Sequence, residues 1–336
     1  MFRKFTDVVP ISYNIAQVTK TYTEVLGMVP PRRIHVFEKG RYRQNDLMIG
    51  DAVVDTQMSL VEPMDGPEAA GPGGGMARFV QRRGEGILDI NVALDVPDLG
   101  KYAKGLEAKG ITVHWDVPDN GVVTGGPPST RKPGEGMEAL GIHPLIHPRS
   151  THGVLWEIWG ADHLPPARVP EKITGNNAFK KLKGISIACK DNDVALKTYT
   201  EGIGLDTYLW SKAYKKAGYK EHVFAVGDAV LQLVQPLVGA DAKSRGGDMA
   251  RVLQLRGEGL YFITVDVVDP EKYARGLEAK GAKIDWDAPD DGEVTGGPKR
   301  PAKRPAATTP QPFINASSAH GVLWRLTPFG TPPLTQ

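Results

Sequence analysis

The order of apolar and polar positions predicts a repeating unit of one strand, one helix and three strands. Residues 7–12 are apolar enough for a strand, and Asn14 then opens a short helix with apolar residues at helical spacing. Gly27 ends this helix as a C-cap glycine does, and strand-like runs follow at residues 33–37, 46–49 and 53–61. Because the same order recurs over residues 87–159, each half of the chain is predicted to hold two βαβββ modules. The Pro- and Gly-rich residues 62–75 between the modules are predicted to form a loop.

The chain is internally duplicated. Residues 98–127 and 269–298 are identical at 20 of 30 aligned positions, which chance does not produce. The word RGEG at residues 83–86 recurs at 256–259, and HGVLW at 152–156 recurs at 320–324. A period this long excludes a solenoid, so the repeating unit is a whole domain. We predict one domain at residues 1–165, a linker at 166–178 and a second domain at 179–336.

Composition narrows the class of partner. The 336 residues include 41 Lys and Arg against 39 Asp and Glu, a net charge of +2, which gives no electrostatic reason to expect nucleic acid or an anionic membrane. The single cysteine, Cys189, excludes an internal disulfide and is expected to be a buried thiol, because it lies in an apolar run. The first residues lack the apolar region of a signal peptide, and no run approaches the roughly 18 apolar residues of a membrane span. A cytoplasmic location is therefore expected.

Several ordered motifs carry a family resemblance. The first half contains Asn14, Tyr22 and Leu26-Gly27 after its first strand, the RGEG word, and the run HPRSTHGVLWE at residues 147–157. With these motifs the chain resembles the vicinal-oxygen-chelate superfamily of glyoxalases, extradiol dioxygenases and antibiotic-resistance binding proteins, and within it the methylmalonyl-CoA epimerase branch. The resemblance implies an α+β fold of four βαβββ modules that pair into two half-barrel domains. In that family, the first and last strands of each module direct one side chain each at a divalent metal.

The resemblance also implies which residues occupy the metal positions. In the first half these are Asp7, Ser59, Asn91 and Glu157, with Gln57 and Asp89 as rivals for Ser59 and Asn91 because they share a strand face. An oxygen-only set favours Mg²⁺, Mn²⁺ or Ca²⁺. The alternative is that both halves have lost the metal, which would leave Asp7 and Glu157 as polar pocket residues. No metal is expected in the second half, where the corresponding residues are Gly184, Gln232, Phe262 and Arg325.

The reaction that the epimerase resemblance implies is proton transfer next to a carbonyl, which needs a base and a group that stabilises the enolate oxygen. Glu157, Asp46 and His147 are the candidate catalytic residues, and Asp89, Gln57 and Arg43 the candidate substrate-binding residues. The protein is thus predicted to be an isomerase or lyase that acts on a small carbonyl-containing molecule in the first half. A non-catalytic small-molecule binding protein is the alternative. A ring-cleaving dioxygenase ranks lower, because neither half has a two-His-one-carboxylate iron site.

Three further expectations remain open to the structure. His152, which recurs as His320 beside a glycine, is interpreted as a turn-stabilising residue. His35 lies in an alternating strand and faces either the barrel or solvent. The two halves pair either within one chain or across a homodimer.

Overall fold

The structure is a computed structural model that describes residues 2–31, 33–50, 56–116, 122–125, 143–160, 177–288, 292–298 and 310–330. The predicted linker at residues 166–178 lies outside these ranges except for its last two residues. The first half contains β1 (Phe2–Ile11), α1 (Ile15–Lys20), β2 (Arg33–Phe37), β3 (Tyr42–Ile49), β4 (Thr56–Pro63), α2 (Gly71–Arg83), β5 (Gly86–Leu94), α3 (Leu99–Ala108), β6 (Val113–Asp116), β7 (Val122–Gly125), β8 (His143–Ile146) and β9 (Leu155–Gly160).

The second half repeats this order of elements. It contains β10 (Lys181–Ala188), α4 (Asn192–Lys197), β11 (Tyr208–Tyr214), β12 (Tyr219–Val226), β13 (Ala229–Pro236), α5 (Arg245–Arg256), β14 (Gly259–Val267), α6 (Pro270–Ala279), β15 (Ile284–Asp287), β16 (Glu293–Gly296), β17 (Gln311–Ile314) and β18 (Leu323–Pro328). No helix among the described residues is long and apolar enough to cross a bilayer.

Each half forms one nine-stranded mixed sheet. The strand order is β6-β8-β9-β5-β1-β4-β3-β2-β7 in the first half and β15-β17-β18-β14-β10-β13-β12-β11-β16 in the second. The first strands of the two modules, β1 and β5, pair antiparallel at the centre, and each module's last strand lies parallel to its first. This joins the two modules edge to edge and confirms the predicted α+β fold of four modules.

The helix after the first strand begins as the sequence predicts. The Asn14 side chain accepts a hydrogen bond from the Gln17 backbone N–H at 3.0 Å, which caps α1. Ile15 and Val18 are its buried face, and the helix continues as a wider turn over Thr21–Val25. Gly27 follows with φ +68°, the left-handed conformation of a C-cap glycine.

The prediction of a loop through residues 62–75 is wrong in its last part, because α2 begins at Gly71. Two of its glycines are required by close packing: a Cβ on Gly73 would lie 2.3 Å from the Arg41 carbonyl oxygen, and one on Gly74 would lie 1.9 Å from that of Ala69. Val80 of α2 packs with Val61 of β4 and with Tyr42 of β3. The helix therefore covers one end of the sheet face that carries Gln57 and Ser59. Strand β7, which the sequence also did not predict, pairs with β2 at the sheet edge.

The two halves pair within one chain. A single buried apolar cluster contains residues from both. Trp324 of β18 is fully buried, and its indole N–H donates to the Tyr22 hydroxyl of the first half at 3.2 Å. Trp156 of β9 packs in the same way against Tyr199 of the second half, with ring centroids 5.7 Å apart.

The contacts between the halves are reciprocal. The Tyr22 hydroxyl donates to the Ala319 carbonyl, and the Tyr199 hydroxyl to the Thr151 carbonyl. Likewise Tyr102 donates to the Ile203 carbonyl oxygen at 2.8 Å, and its repeat partner in α6 bonds the corresponding carbonyl of the first half. Such reciprocity is the signature of a two-fold related interface. Residues in and next to the repeated HGVLW motif therefore form part of the interface between the two halves.

Candidate functional site

Strand register brings the predicted metal positions to one face of the first sheet. Asp7 of β1 lies directly beside Gln57 of β4 and Asn91 of β5, and Asn91 lies beside Glu157 of β9. Residues directly opposite each other in a sheet project to the same side, as do residues two apart in one strand. Ser59 therefore shares this side, which we call the polar face.

The Asp7 carboxylate is held by residues of β4. It accepts hydrogen bonds from the Ser59 N–H at 3.0 Å, the Ser59 hydroxyl at 2.5 Å and the Gln57 side-chain amide at 3.3 Å. The Ser59 hydroxyl has one proton, and the short contact assigns it to Asp7. Both candidates for the second metal position, Gln57 and Ser59, thus touch the first.

A second carboxylate on the polar face is bonded to a histidine. Asp46 of β3 lies opposite Ser59, and one of its oxygens is 3.1 Å from His35 Nε2 while the other accepts from Gln44 at 2.8 Å. His35 is buried, which settles that it faces the barrel and not solvent. The sequence pointed to Asp46 and left the orientation of His35 open, but it did not indicate that the two pair, and it did not point to Gln44. The hairpin pairing of His35 with Gln44 is the signal that would have found them.

Like charges crowd the polar face. Burial, with smaller effects from Asp46 and Glu157, raises the pKa of Asp7 well above its ordinary value, while hydrogen bonds from Ser59 oppose the shift. Burial first, then Glu157 and Asp7, raises the pKa of Asp89 in the same direction. No Lys or Arg within the described ranges forms an ion pair with Asp7 or Asp89. The face therefore favours either bound protons or a cation.

The donor atoms on the polar face fit a hard divalent cation. Oδ1 of Asp89 and Oδ1 of Asn91 are buried, and no hydrogen-bond donor among the described residues reaches them. With Asp7 and Glu157 they make an oxygen-only set that carries several negative charges, which suits Mg²⁺, Mn²⁺ or Ca²⁺. An unsatisfied buried oxygen costs roughly 1–3 kcal/mol, and a cation there would remove that cost.

Two predicted residues lie elsewhere. Arg43 alternates with Gln44 along β3, so it points to the opposite side of the sheet, where its guanidinium is half-exposed and 3.8 Å from Glu62. Arg43 therefore does not lie on the polar face, and the substrate-binding role predicted for it there does not fit its position. His147 lies in the turn after β8, where its Nδ1 accepts from the Arg149 N–H and its ring is 5.2 Å from that of His114. Burial, His114 and Arg149 lower the pKa of His147; these contacts do not bring it against the carboxylates.

The second half has a different polar face. Thr264, and not Phe262, occupies the place of Asn91, because Gly184 lies opposite Thr264 and Thr264 lies beside Arg325. Phe262 had been assigned because it lies seven residues before the Asp that opens the next helix, as Asn91 does in the first half. That assignment is wrong because the segment between strand and helix is two residues shorter in the second half. Burial raises the pKa of Glu221, whereas Tyr214, Arg325, Lys212 and Gln232 lower it. Glu221 accepts hydrogen bonds from Tyr214 and Gln232, each at 2.7 Å.

A separate cluster lies between the halves. His152 Nδ1 is 3.0 Å from a carboxylate oxygen of Glu258, and His152 Nε2 is 3.1 Å from the Thr198 hydroxyl. The turn role predicted for His152 is supported by its φ of +54°, but the ring also joins the two domains. Cys189 is buried as predicted, and its Sγ lies with donor atoms of His152 and Glu258 in a set whose members are within 4.8 Å of one another and could hold a metal ion.

The same cluster recurs at the related position without the thiol. There His320 Nδ1 is 3.2 Å from Glu85, and the Ser12 hydroxyl, in the place of Cys189, also bonds Glu85. The His–Glu contact therefore does not depend on the cysteine.

Comparison with known proteins gives the fold. No protein-family model matches the sequence, and no curated protein matches it. A variant of 4-hydroxymandelate synthase from Streptomyces coelicolor is 13% identical, with a TM-score of 0.56 over 84% of this chain and 76% of that one. BphC, a halotolerant catechol dioxygenase, is 12% identical, with a TM-score of 0.53 over 97% of this chain and 87% of that one.

Methylmalonyl-CoA epimerase from Mycobacterium tuberculosis is 26% identical, with a TM-score of 0.34 over 44% of this chain and 87% of that one. 4-Hydroxymandelate synthase and BphC, whose TM-scores exceed 0.5, are members of the vicinal-oxygen-chelate superfamily. This chain has the vicinal-oxygen-chelate fold, which confirms the resemblance at the level of the fold. At these identities the likeness does not extend to the reaction.

Proposed function

We propose that this protein is an isomerase- or lyase-type enzyme that moves a proton on the carbon next to a carbonyl group, at the polar face of the first sheet. The observation that carries the proposal is that Ser59 lies between the His35–Asp46 pair and the buried carboxyl of Asp7, whose pKa is raised by burial. Abstraction of such a proton needs a fixed base and a nearby donor for the oxygen that becomes negative. Both kinds of group are present on this face.

Asp46 is the proposed base. Its carboxylate is oriented by His35 on one oxygen and Gln44 on the other, so its direction is fixed before substrate arrives. Glu157, on the adjacent module, is the proposed second acid–base group.

Asp7 and Asp89 are the proposed donors to the enolate oxygen. Burial raises the pKa of both carboxyl groups well above the ordinary value, which favours the protonated form that can donate a hydrogen bond. When a divalent cation is bound by Asp7, Asn91 and Glu157, with Asp89 or Gln57 completing the set, it supplies Lewis-acid polarisation of the carbonyl. In either case Ser59 and Gln57 hold Asp7 in place.

Exchange of solvent deuterium into carbonyl compounds tests the proposal. The protein is incubated in D₂O with a panel of acyl thioesters, 2-oxo acids and 2-hydroxy ketones, and incorporation at the adjacent carbon is followed by NMR. We expect catalysed exchange into at least one class, and we expect Asp46→Asn to reduce it by about 10²–10⁴-fold. Arg43→Ala is the matched control, because Arg43 lies on the same strand but the opposite face. If no class exchanged above the uncatalysed rate, or Asp46→Asn exchanged as fast as wild type, the proposal would be overturned.

Metal dependence is a separate measurement on the same protein. Elemental analysis and thermal unfolding with Mg²⁺, Mn²⁺ and Ca²⁺ are compared for wild type and Glu157→Gln. A cation bound at the polar face stabilises the folded chain by mass action. The stabilisation should be lost in Glu157→Gln and kept in Arg43→Ala. Equal stabilisation of all three proteins would place the cation elsewhere.

A further inference from the structure

An open groove of about 690 Å³ follows the seam between the two halves, and none of the polar-face carboxylates lines it. Its walls come from both domains: residues of the α2 end, the α3 end and the Pro148–Ser150 turn from the first, and Lys190, Thr198 and Glu258 from the second. Because the seam is held by the reciprocal contacts described above, the groove is preformed.

The described lining of this groove is predominantly basic. Its lining includes three positively charged side chains, those of Arg83, Arg149 and Lys190. Among the described lining residues, the only carboxylate is that of Glu258. Glu258 is already engaged, since it accepts from the Lys190 backbone N–H at 2.7 Å and bonds His152 at 3.0 Å. The positive charge of the groove is therefore not cancelled within it.

Arg83 in particular is held without a carboxylate partner among the described residues. Its guanidinium donates to the carbonyl oxygens of Glu258 at 2.9 Å and Gly153 at 3.3 Å, so it is fixed across the seam by neutral acceptors. Burial and the neighbouring Arg256 both lower the pKa of Arg83. A bound anion would stabilise the charged form of this partly buried guanidinium and offset its repulsion by Arg256.

The pseudo-two-fold related position provides an internal comparison. The sequence repeat matches Arg149 with Ser317 and Lys190 with Tyr13, whereas Arg83 and His152 have identical counterparts. The scaffold of the groove is thus present twice, but the additional basic residues are present once. Ser150 and Ser318 are hydroxyl residues in both copies, and each accepts a hydrogen bond from the backbone N–H that faces it.

We propose that the seam groove lined by Arg83, Arg149 and Lys190 binds a phosphate group of a small molecule. Arginine guanidinium groups supply the paired N–H donors that phosphate oxygens accept, and lysine adds a point charge. The hydroxyls of Ser150 and Thr198 line the same groove. This site is separate from the proposed proton-transfer site and does not depend on it.

Phosphate titration at low ionic strength, followed by ³¹P NMR and calorimetry, tests the proposal. Inorganic phosphate and a simple phosphomonoester are the two probes. We expect saturable binding of one equivalent per chain, and tighter binding of the monoester would indicate that the groove also contacts the organic part. The double variant Arg149→Ser/Lys190→Tyr, which copies the related position, should weaken binding at least tenfold.

The converse double variant, Ser317→Arg/Tyr13→Lys, is the matched control. It should add a second binding equivalent, because Arg256, His320 and Ser318 already stand at the related positions on that side. Since each double variant installs residues that the chain already carries in the same local structure, circular dichroism and thermal unfolding should show folded proteins. Arg149→Gln alone provides a milder test of the same site. The proposal is overturned if binding is non-saturable, or if Arg149→Ser/Lys190→Tyr binds phosphate as tightly as wild type.

An independent readout separates this site from the proposed enzyme. Asp46→Asn should leave phosphate affinity unchanged within twofold, whether or not proton exchange is observed. A loss of phosphate binding in Asp46→Asn would show that the anion binds at the polar face and would contradict the seam site.

Discussion

At the scale of single residues, the polar face of the first sheet combines burial with negative charge. Asp7, Asp46 and Asp89 are all buried, and Glu157 is half-buried beside Asn91. A buried carboxylate without a cation is costly, so the folded chain relieves the cost by retaining protons on Asp7 and Asp89. The stability of the protein is thereby linked to pH.

This linkage has a definite sign. Below the ordinary carboxyl pKa of 3.8, both the folded and the unfolded chain carry the proton on Asp89. As the pH rises above that value, the unfolded chain ionises while the folded chain must keep the proton, so the free energy of unfolding falls. The loss continues until the pH passes the raised pKa of the folded state.

Replacement of Asp89 by Asn should remove that linkage. In the presence of a chelator we expect Asp89→Asn to raise the free energy of unfolding at pH 8, because the amide carries no charge for burial to penalise. It should also reduce the fall in stability between pH 5 and pH 8, measured by urea unfolding. The control is Asp206→Asn, at an exposed position, which should follow the wild-type profile. The expectation would be contradicted if the free energy of unfolding changed by the same amount between pH 5 and pH 8 in wild type, Asp89→Asn and Asp206→Asn.

The residue scale also shows what sequence can and cannot supply. The motifs placed Asp7, Gln57, Asn91 and Glu157 on converging strands, and register confirms that they share a face. The period of two in a strand does not reveal which face is buried, which is why Arg43 was chosen over its neighbour Gln44. His35 was left open for the same reason, because its partner Asp46 lies on a different strand.

At the scale of elements, the glycine-rich helix α2 is the clearest departure from expectation. A run of glycines predicts a loop when only backbone freedom is considered. Here three consecutive glycines have different surroundings: Gly73 and Gly74 face backbone carbonyls, while Gly75 faces open space near Arg78. Tertiary contact, which local propensity does not contain, decides the conformation.

These neighbouring glycines give a matched pair of variants. Gly74→Ala should destabilise the protein by about 2 kcal/mol or more, because the new Cβ would lie 1.9 Å from the Ala69 carbonyl oxygen. Gly75→Ala should stabilise it by about 0.5–1 kcal/mol, since its Cβ meets only the tip of Arg78 at 3.9 Å and alanine favours the helix. Denaturant unfolding of the two variants measures both values. Similar effects in the two proteins would show that α2 does not pack as described.

At the scale of the whole molecule, the two domains are expected to unfold together. The fully buried Trp324 belongs to the second half, but it contacts Tyr22 of the first and Phe179 of the second. A contact that spans the seam stabilises both sides. The sequence could not predict this pairing, because the HGVLW repeat reads equally well as a motif of each separate domain.

Trp324→Ala should therefore destabilise both domains, by about 3–5 kcal/mol in total. Native-state hydrogen exchange should show faster exchange in β1 and in β10 by comparable factors. Phe329→Ala removes a similar apolar group from an exposed position and should change neither strand. Faster exchange confined to β10 would show that the halves are energetically independent.

The pairing of two halves in one chain has a consequence for how such a protein can change. In a symmetric homodimer, every substitution is inherited by both active centres at once, so one centre cannot lose a ligand while the other keeps it. Here each centre has its own stretch of gene, and Arg325 stands where the first half has Glu157. The seam, in contrast, is built from both copies at every contact, so a change on one side must suit the opposite side. Covalent linkage thus leaves the two centres free to diverge while it holds their common boundary nearly fixed.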